Sequence, residues 1–383
     1  MQTRRLRVMI VGAFPPPGRD VFGGMVTSCA ALMRSSLPER VDVIPVDSTQ
    51  ISNPPPRLSL RLLLAIPRLC RFIVQMERHR PDVVVLFVAL GASVVEKGVM
   101  AWYARFRGIS AVMFPRGGGL VEACNASAVT AWWVRAAFRG SHRVFCQSLH
   151  WQRFAQQRLG FDVAGTPLIA NWTATPELLQ MGRRRLTTAS GATANDEPVR
   201  LLFVGWLDFE KGIGELLTAC ELLAQRLRFT LDLIGQGNSL DWARDRVKVA
   251  GLDERVTFRG WLTGRELLDA FADSDVLVLP SWAEGLPNAM VEAMAAGLAV
   301  VVTAVGSIPD VVSDGQDALL IPSRDSKALT SALSRVICDE ATRRRLGAAA
   351  HQKAAKLFGA ETAVTLMLEQ FYEMAGVVPA ENE

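Results

Sequence analysis

Apolar residues in this chain gather into short unbroken runs, such as Val8-Met9-Ile10-Val11, Val83-Val84-Val85-Leu86-Phe87-Val88 and Val276-Leu277-Val278-Leu279. Longer amphipathic stretches separate them. A run without polar alternation suits a strand buried on both faces, as in a parallel sheet whose crossover helices cover it. In the first half the strand candidates are 7–12, 41–46, 82–88, 110–114, 143–146 and 167–170, with helical stretches at 24–36, 58–79, 95–106, 127–138 and 148–158. The alternation resumes with strands 200–204, 229–234, 255–258, 275–279, 298–302 and 318–321. Helices at 213–226, 239–250, 264–272, 287–296, 326–337, 341–356 and 361–375 accompany them. Strand–helix alternation of this kind predicts an α/β fold with two doubly wound, Rossmann-like domains in tandem.

The break between them is the small, polar, aperiodic stretch from Gly182 to Pro198, which reads as a loop near the domain junction. The predicted domains are residues 1–185, with a C-terminal helix at about 359–383, and residues 198–358. A chain of 383 residues is too long for one ordinary core, in keeping with two domains. No run reaches the roughly 18 apolar residues of a spanning helix, and no signal-peptide pattern follows the first strand. The six cysteines are scattered, which reads as reduced cytoplasmic thiols rather than a disulfide framework or metal site. The net charge of +4 hides an asymmetry: residues 1–190 carry +14 and the remainder −10. A basic half implies an anionic partner, whether nucleic acid, a phosphorylated substrate or an anionic membrane leaflet.

Candidate chemistry concentrates at two strand ends of the second half. Pro280 to Gly297 reads as a loop and a short helix between two buried strands, with Glu284 in the loop and Glu292 on the helix. Phe203 to Ile213 is another strand-to-helix turn, with Gly205 for close approach and Lys211-Gly212 at the helix start. Ligands of open α/β sheets sit at the carboxyl ends of strands, where helix N-termini and cations receive phosphate. In the first half, Gly23-Gly24 forms a weaker loop of this kind, and neither it nor Gly12–Gly18 fits a dinucleotide fingerprint.

The order Phe203-Val204-Gly205, Lys211-Gly212, Gly235-Gln236-Gly237, Val256-Thr257-Phe258-Arg259-Gly260, Leu279-Pro280-Ser281, Glu284-Gly285-Leu286-Pro287 and Glu292 to Gly297 resembles one enzyme family. It continues through Thr303 to Asp310 and Asp314-Gly315, covering about 120 residues. The resemblance is to retaining glycosyltransferases of family four, of the bacterial polysaccharide type. It implies a GT-B architecture, two domains facing across a cleft, with the C-terminal helix crossing back to the first. In such enzymes Glu292 would bind the nucleotide ribose and Lys211 would neutralise the donor diphosphate. Glu284 would lie beside the donor sugar. The loop of Gly285, Leu286, Pro287 and Asn288 would hold sugar hydroxyls and phosphate through its backbone N–H groups. Gly205 and Arg259 join the donor set, and Gly23-Gly24 would close on the diphosphate from the first domain. No metal or other cofactor is expected, since cations and helix termini take the leaving-group charge.

Two positions depart from the pattern. Trp206 stands where the family usually has arginine. Pro115-Arg116-Gly117-Gly118-Gly119 stands where it often has histidine, so Arg116 is the candidate to face a donor or acceptor phosphate. The implied partners are a UDP- or GDP-linked sugar and a saccharide or polyprenyl-diphosphate-linked saccharide acceptor, with no nucleic acid. Basic amphipathic stretches at 58–80 and 131–139 add an anionic membrane surface as a partner, against the alternative that 58–80 is an ordinary crossover helix. The expected location is cytoplasmic, on the inner face of the plasma membrane. Two other readings stay open: a sugar-nucleotide epimerase, and a catalytically degenerate binding protein.

Overall fold

A computed structural model describes residues 5–16, 21, 23–49, 58–117, 119–187 and 197–377, and for 58–63 the backbone alone. The chain divides into two compact units, Met1–Trp172 with Ala360–Glu383, and Thr173–Gly359. The first contains β1 (Arg7–Gly12), β2 (Asp42–Asp47), β3 (Val83–Val88), β4 (Ser110–Pro115) and β5 (Arg143–Val144), in the order β2-β1-β3-β4-β5. The second contains β6 (Val199–Val204), β7 (Phe229–Ile234), β8 (Val256–Gly260), β9 (Val276–Leu279), β10 (Ala299–Thr303) and β11 (Leu319–Ile321), ordered β11-β10-β9-β6-β7-β8. Every pairing in both sheets is parallel. These are the two Rossmann-like α/β domains that the run pattern predicts.

In each sheet the strand order reverses once. The chain steps from β1 to β2 on one side and returns to place β3 on the other; in the second sheet β6 lies between β7 and β9. At such a reversal the two flanking strand-to-helix loops lead away from each other, leaving a crevice at the strands' carboxyl ends. The loops after the adjacent strands β6 and β9 therefore border this crevice from its two sides, and both carry candidate residues.

The last helix, Ala360–Ala375, belongs to the first unit although it closes the chain. Its Val364, Met367 and Phe371 are buried in the same core as Val8, Val85 and Val112 of β1, β3 and β4. Phe371 also stacks on Phe145, ring centroids 6.1 Å apart.

Several local expectations are corrected. The boundary stretch is helical up to Thr187, as part of the helix Pro176–Thr187. Gly182 reads as a breaker, yet here the missing side chain lets the helix lie against the Ala295 carbonyl and the His351 ring. The strand expected at 167–170 is reduced to a single bridge from Leu168 to Cys146, and 148–158 is an α-helix, Leu149–Phe154, widening into a π turn, Ala155–Leu159. Helix Leu58–His79 buries Phe72 and Met76 in the first core, as a crossover helix does. Among the described residues no helix is long and apolar enough to cross a membrane.

Candidate functional site

After β6 the chain makes a 3-10 turn, Phe209–Lys211, and enters the helix Ile213–Ala224 through Gly212. After β9 it runs through Pro280 to Glu284 and enters the helix Asn288–Ala295, with Pro287 at the N-cap and Gly297 in the left-handed region just past its end. The two loops are bound to one another. Trp282 N donates to the Glu210 carbonyl at 2.8 Å, and its indole Nε1 donates to Glu215 Oε1 at 2.9 Å. Gly212, at φ 76°, lies where a Cβ would strike the Pro280 carbonyl. Thr303 Oγ1, at the end of the next strand, donates to the Ser281 carbonyl at 2.6 Å, and Ser307 N, in the loop after it, to the Gly285 carbonyl at 3.1 Å.

This clamp brings Lys211 Nζ to 2.7 Å from Glu284 Oε1, an ion pair whose side chains are 29 % and 12 % exposed. A cation and a carboxylate thus meet where the first turn of the Asn288–Ala295 helix presents its N-terminal end, favourable for an anion. Glu292 lies one helical turn further in. Its residue is 6 % exposed, and among the described residues no hydrogen bond or ion pair engages its carboxyl. Burial pushes its pKa up from 4.5 to about 7. An acid that is costly to ionise unless a donor reaches it is suited to receiving ligand hydroxyls.

The remaining donor candidates are spread more widely. Gly205 directly follows β6, and its N–H is held by the Ile234 carbonyl at 3.0 Å. Arg259 lies on β8, two strands from β6, where Nη1 pairs with Asp232 Oδ2 at 3.4 Å on a half-exposed surface. No contact among the described residues brings it to Lys211 or Glu284. Trp206 forms half of an indole pair with Trp261, ring centroids 5.0 Å apart and planes tilted by 40°. An apolar ring pair thus fills the position where the resemblance leads one to look for a cation.

Gly23, Gly24 and Arg116 belong to the first unit. Gly23, at φ 138°, caps the helix Gly24–Met33. Arg116 follows β4, and its Nη2 donates to Ser28 Oγ of that same helix at 2.7 Å. The Gln147 amide oxygen, oriented to satisfy both groups, accepts from Arg116 Nη1 at 2.8 Å and Nε at 3.2 Å. The guanidinium also lies over Phe87, Phe114 and Trp172, closest to Trp172 at 4.3 Å from the ring centroid. Burial pulls its pKa down to about 9, which leaves it charged at neutral pH. These contacts use three of its five N–H groups.

Between the loops after β1 and β2 and the helix Leu58–His79, the first unit has a cavity of about 450 Å³ lined by Asp47, Thr49, Arg68 and Arg71 among others. Arg68 makes a two-pronged pair with Glu96, both contacts at 2.9 Å. Sequence reasoning missed this cavity, and it missed Trp282 and Glu215 as the residues that set the spacing of Lys211 and Glu284. Nothing in residue type distinguishes a loop tryptophan that clamps from one that is merely exposed.

Residues 198–339 match the family model described as Glycosyl transferases group 1. The glycogen synthase of Mycobacterium tuberculosis is 32% identical over 169 residues, 44% of this chain and 41% of that protein. The amylovoran biosynthesis glycosyltransferase AmsK of Erwinia amylovora is 31% identical over 152 residues, 38% of this chain and 37% of that one. The matched region therefore spans about two fifths of these curated relatives. Over the whole chain the likeness is in fold. The sucrose-phosphate synthase of Thermosynechococcus elongatus superposes with a TM-score of 0.77 at 21% identity, covering 97% of this chain and 100% of that one. The Anabaena protein HepE, solved in complex with UDP-glucose, gives 0.70 at 18% identity, covering 96% and 100%. What these structures share with the chain is the GT-B fold, two Rossmann-like α/β units each built on a parallel sheet.

Proposed function

We propose that this protein is a glycosyltransferase that moves a sugar from a nucleotide-diphosphate donor to an acceptor hydroxyl with retention, in bacterial surface polysaccharide or glycolipid assembly. The observation that carries the reading is the Lys211–Glu284 pair at the strand-order reversal of the second sheet, with Glu292, whose carboxyl meets no partner among the described residues, on the adjoining helix. In this reading the ribose hydroxyls donate to Glu292, which ionises to receive them. The diphosphate takes Lys211 away from Glu284 and lies against the helix N-terminus, while the freed Glu284 carboxylate accepts from sugar hydroxyls. The bond from the anomeric carbon to the phosphate oxygen breaks, and the acceptor oxygen bonds to that carbon on the same face. The departing phosphate oxygen takes the acceptor proton, and Lys211 with the helix N–H groups holds its charge without a metal.

UDP is the first nucleotide to try, because the HepE structures contain UDP or UDP-glucose. The amylovoran enzyme supports a polysaccharide role by its name. Arg71, which lines the cavity of the first unit, is the candidate contact for a phosphorylated or polyprenyl-diphosphate-linked acceptor. Calorimetric titration with UDP and GDP, followed by a mass-spectrometric screen of nucleotide sugars against lipid-linked acceptors, tests the reading. Tight binding of one nucleotide, weakened about 10- to 100-fold in Lys211→Ala, is expected. Glu284→Gln should keep nucleotide affinity and lose transfer. Binding of neither nucleotide would refute the donor site. Trp206 in the usual arginine's place favours one rival, a binding protein without turnover; UDP binding with no transfer to any acceptor would support it.

A further inference from the structure

We propose that the face shared by the helices Ala92–Phe106 and Ala128–Phe138 is a docking surface for an anionic lipid bilayer. Val95, Val99, Trp102 and Phe106 follow one another at helical spacing on the first of these helices, and all four are exposed, Phe106 at 83 %. On the second, Val129, Trp132 and Trp133 do the same, the two tryptophans at 62 % and 55 %. Each helix buries its opposite side in one core, through Val94, Met100 and Ala104, and through Val134 and Phe138. The two exposed stripes join, because Trp102 Nε1 donates to the Ala136 carbonyl at 3.0 Å. A contiguous apolar surface with three indoles is more than the scattered exposed residues of an ordinary monomer face.

Charge selects the occupant. The exposed cations of these two helices and their ends include Arg105, Arg135 and Arg139; Lys97 is buried, and Arg107 and Arg143 are paired with Glu77 and Glu373. Glu96 is already paired with Arg68 and Lys97. Arg105 lies 5.9 Å from the Trp102 ring centroid and donates to the Arg139 carbonyl at 3.3 Å, so both arginines border the apolar face. Tryptophan beside arginine matches a membrane interface, where indoles sit at headgroup level and guanidiniums meet lipid phosphate. A second copy of this chain would set this cationic region against another like itself, which disfavours self-association there. The helix Leu58–His79 carries less of such a surface, because Phe72 and Met76 turn inward and Arg68 is held by Glu96.

The test is co-sedimentation of the full chain with sucrose-loaded vesicles of phosphatidylcholine alone or mixed with phosphatidylglycerol, at low and high salt. The wild type should pellet with the anionic vesicles at low salt and be released by high salt. F106S/W132S/W133S should lower that partitioning about tenfold or more, and R105Q/R139Q should lower it for anionic vesicles. A wild type that stays in solution with anionic vesicles would overturn the proposal, as would a triple variant that pellets equally well. A lipid-free dimer in sedimentation velocity, abolished by the same triple variant, would assign the face to a second copy instead. The substituted residues belong to the first unit and the nucleotide residues to the second, so unchanged melting and nucleotide titration certify the variants as folded. Loss of UDP and GDP binding in the wild type would remove the transferase reading and leave this one standing.

Discussion

Glu292 makes the most direct residue-scale prediction. Its folded pKa of about 7 lies above the usual 4.5, so the native protein keeps a proton that the unfolded chain releases. Its contribution to stability is greatest below about pH 4.5, falls as pH rises toward 7, and is level above that. Glu292→Gln should therefore stabilise the fold at pH 8 by about 1–3 kcal/mol, read from denaturant melts, and weaken nucleotide binding in the same sample. In the wild type, nucleotide affinity should drop as pH falls below 7, because the protonated acid accepts ribose hydroxyls poorly. Calorimetry in buffers of different ionisation enthalpy would show the matching proton release on binding near pH 7. Arg116 is tested differently. Arg116→Ala removes three ring contacts and the donors to Ser28 and Gln147, an expected loss of about 2–4 kcal/mol in stability. Transfer rates that survived in the folded fraction would remove Arg116 from the active site. Motif spacing singled out Glu284, Glu292 and Lys211, on which the proposed donor site rests. The cage around Arg116 was not, because Ser28, Phe87, Gln147 and Trp172 are distant in sequence.

At the scale of elements, the site depends on loops that the sheet brings together and backbone contacts lock. Gly306, at φ 55°, leaves room where a Cβ would overlap the Glu284 carbonyl. Gly306→Ala should cost about 2 kcal/mol or more and displace the loop that holds Glu284. The measurable pair is a lower melting midpoint together with weaker nucleotide affinity, whereas affinity unchanged in the folded variant would separate Gly306 from the site. Strands were legible because a continuous Val–Leu–Ile run has few other uses at that length. Helix boundaries were less so: Gly182 sits inside Pro176–Thr187 because Ala295 and His351 need its space, a requirement invisible in a polar, arginine-rich stretch.

At the scale of the whole molecule, the chain ends in the unit where it began. Phe371, Val364 and Met367 complete the core over β1, β3 and β4. Phe371→Ala should therefore destabilise the first unit by about 3–5 kcal/mol, although it lies at the far end of the sequence. Proteolysis should then release fragments of the first unit sooner than those of Thr173–Gly359. Local sequence by itself determined the α/β class and the two-domain organisation and singled out Glu284 and Glu292 as candidates, because these depend on periodicity and on residues close along the chain. Tertiary structure alone decided which carboxylate is paired and which is desolvated, and which apolar helix faces remain in water. The helix Ala92–Phe106 is apolar on more than one side, and its sequence does not say which side the sheet covers. Burial is a property of what packs against a residue, and that partner is chosen by the fold.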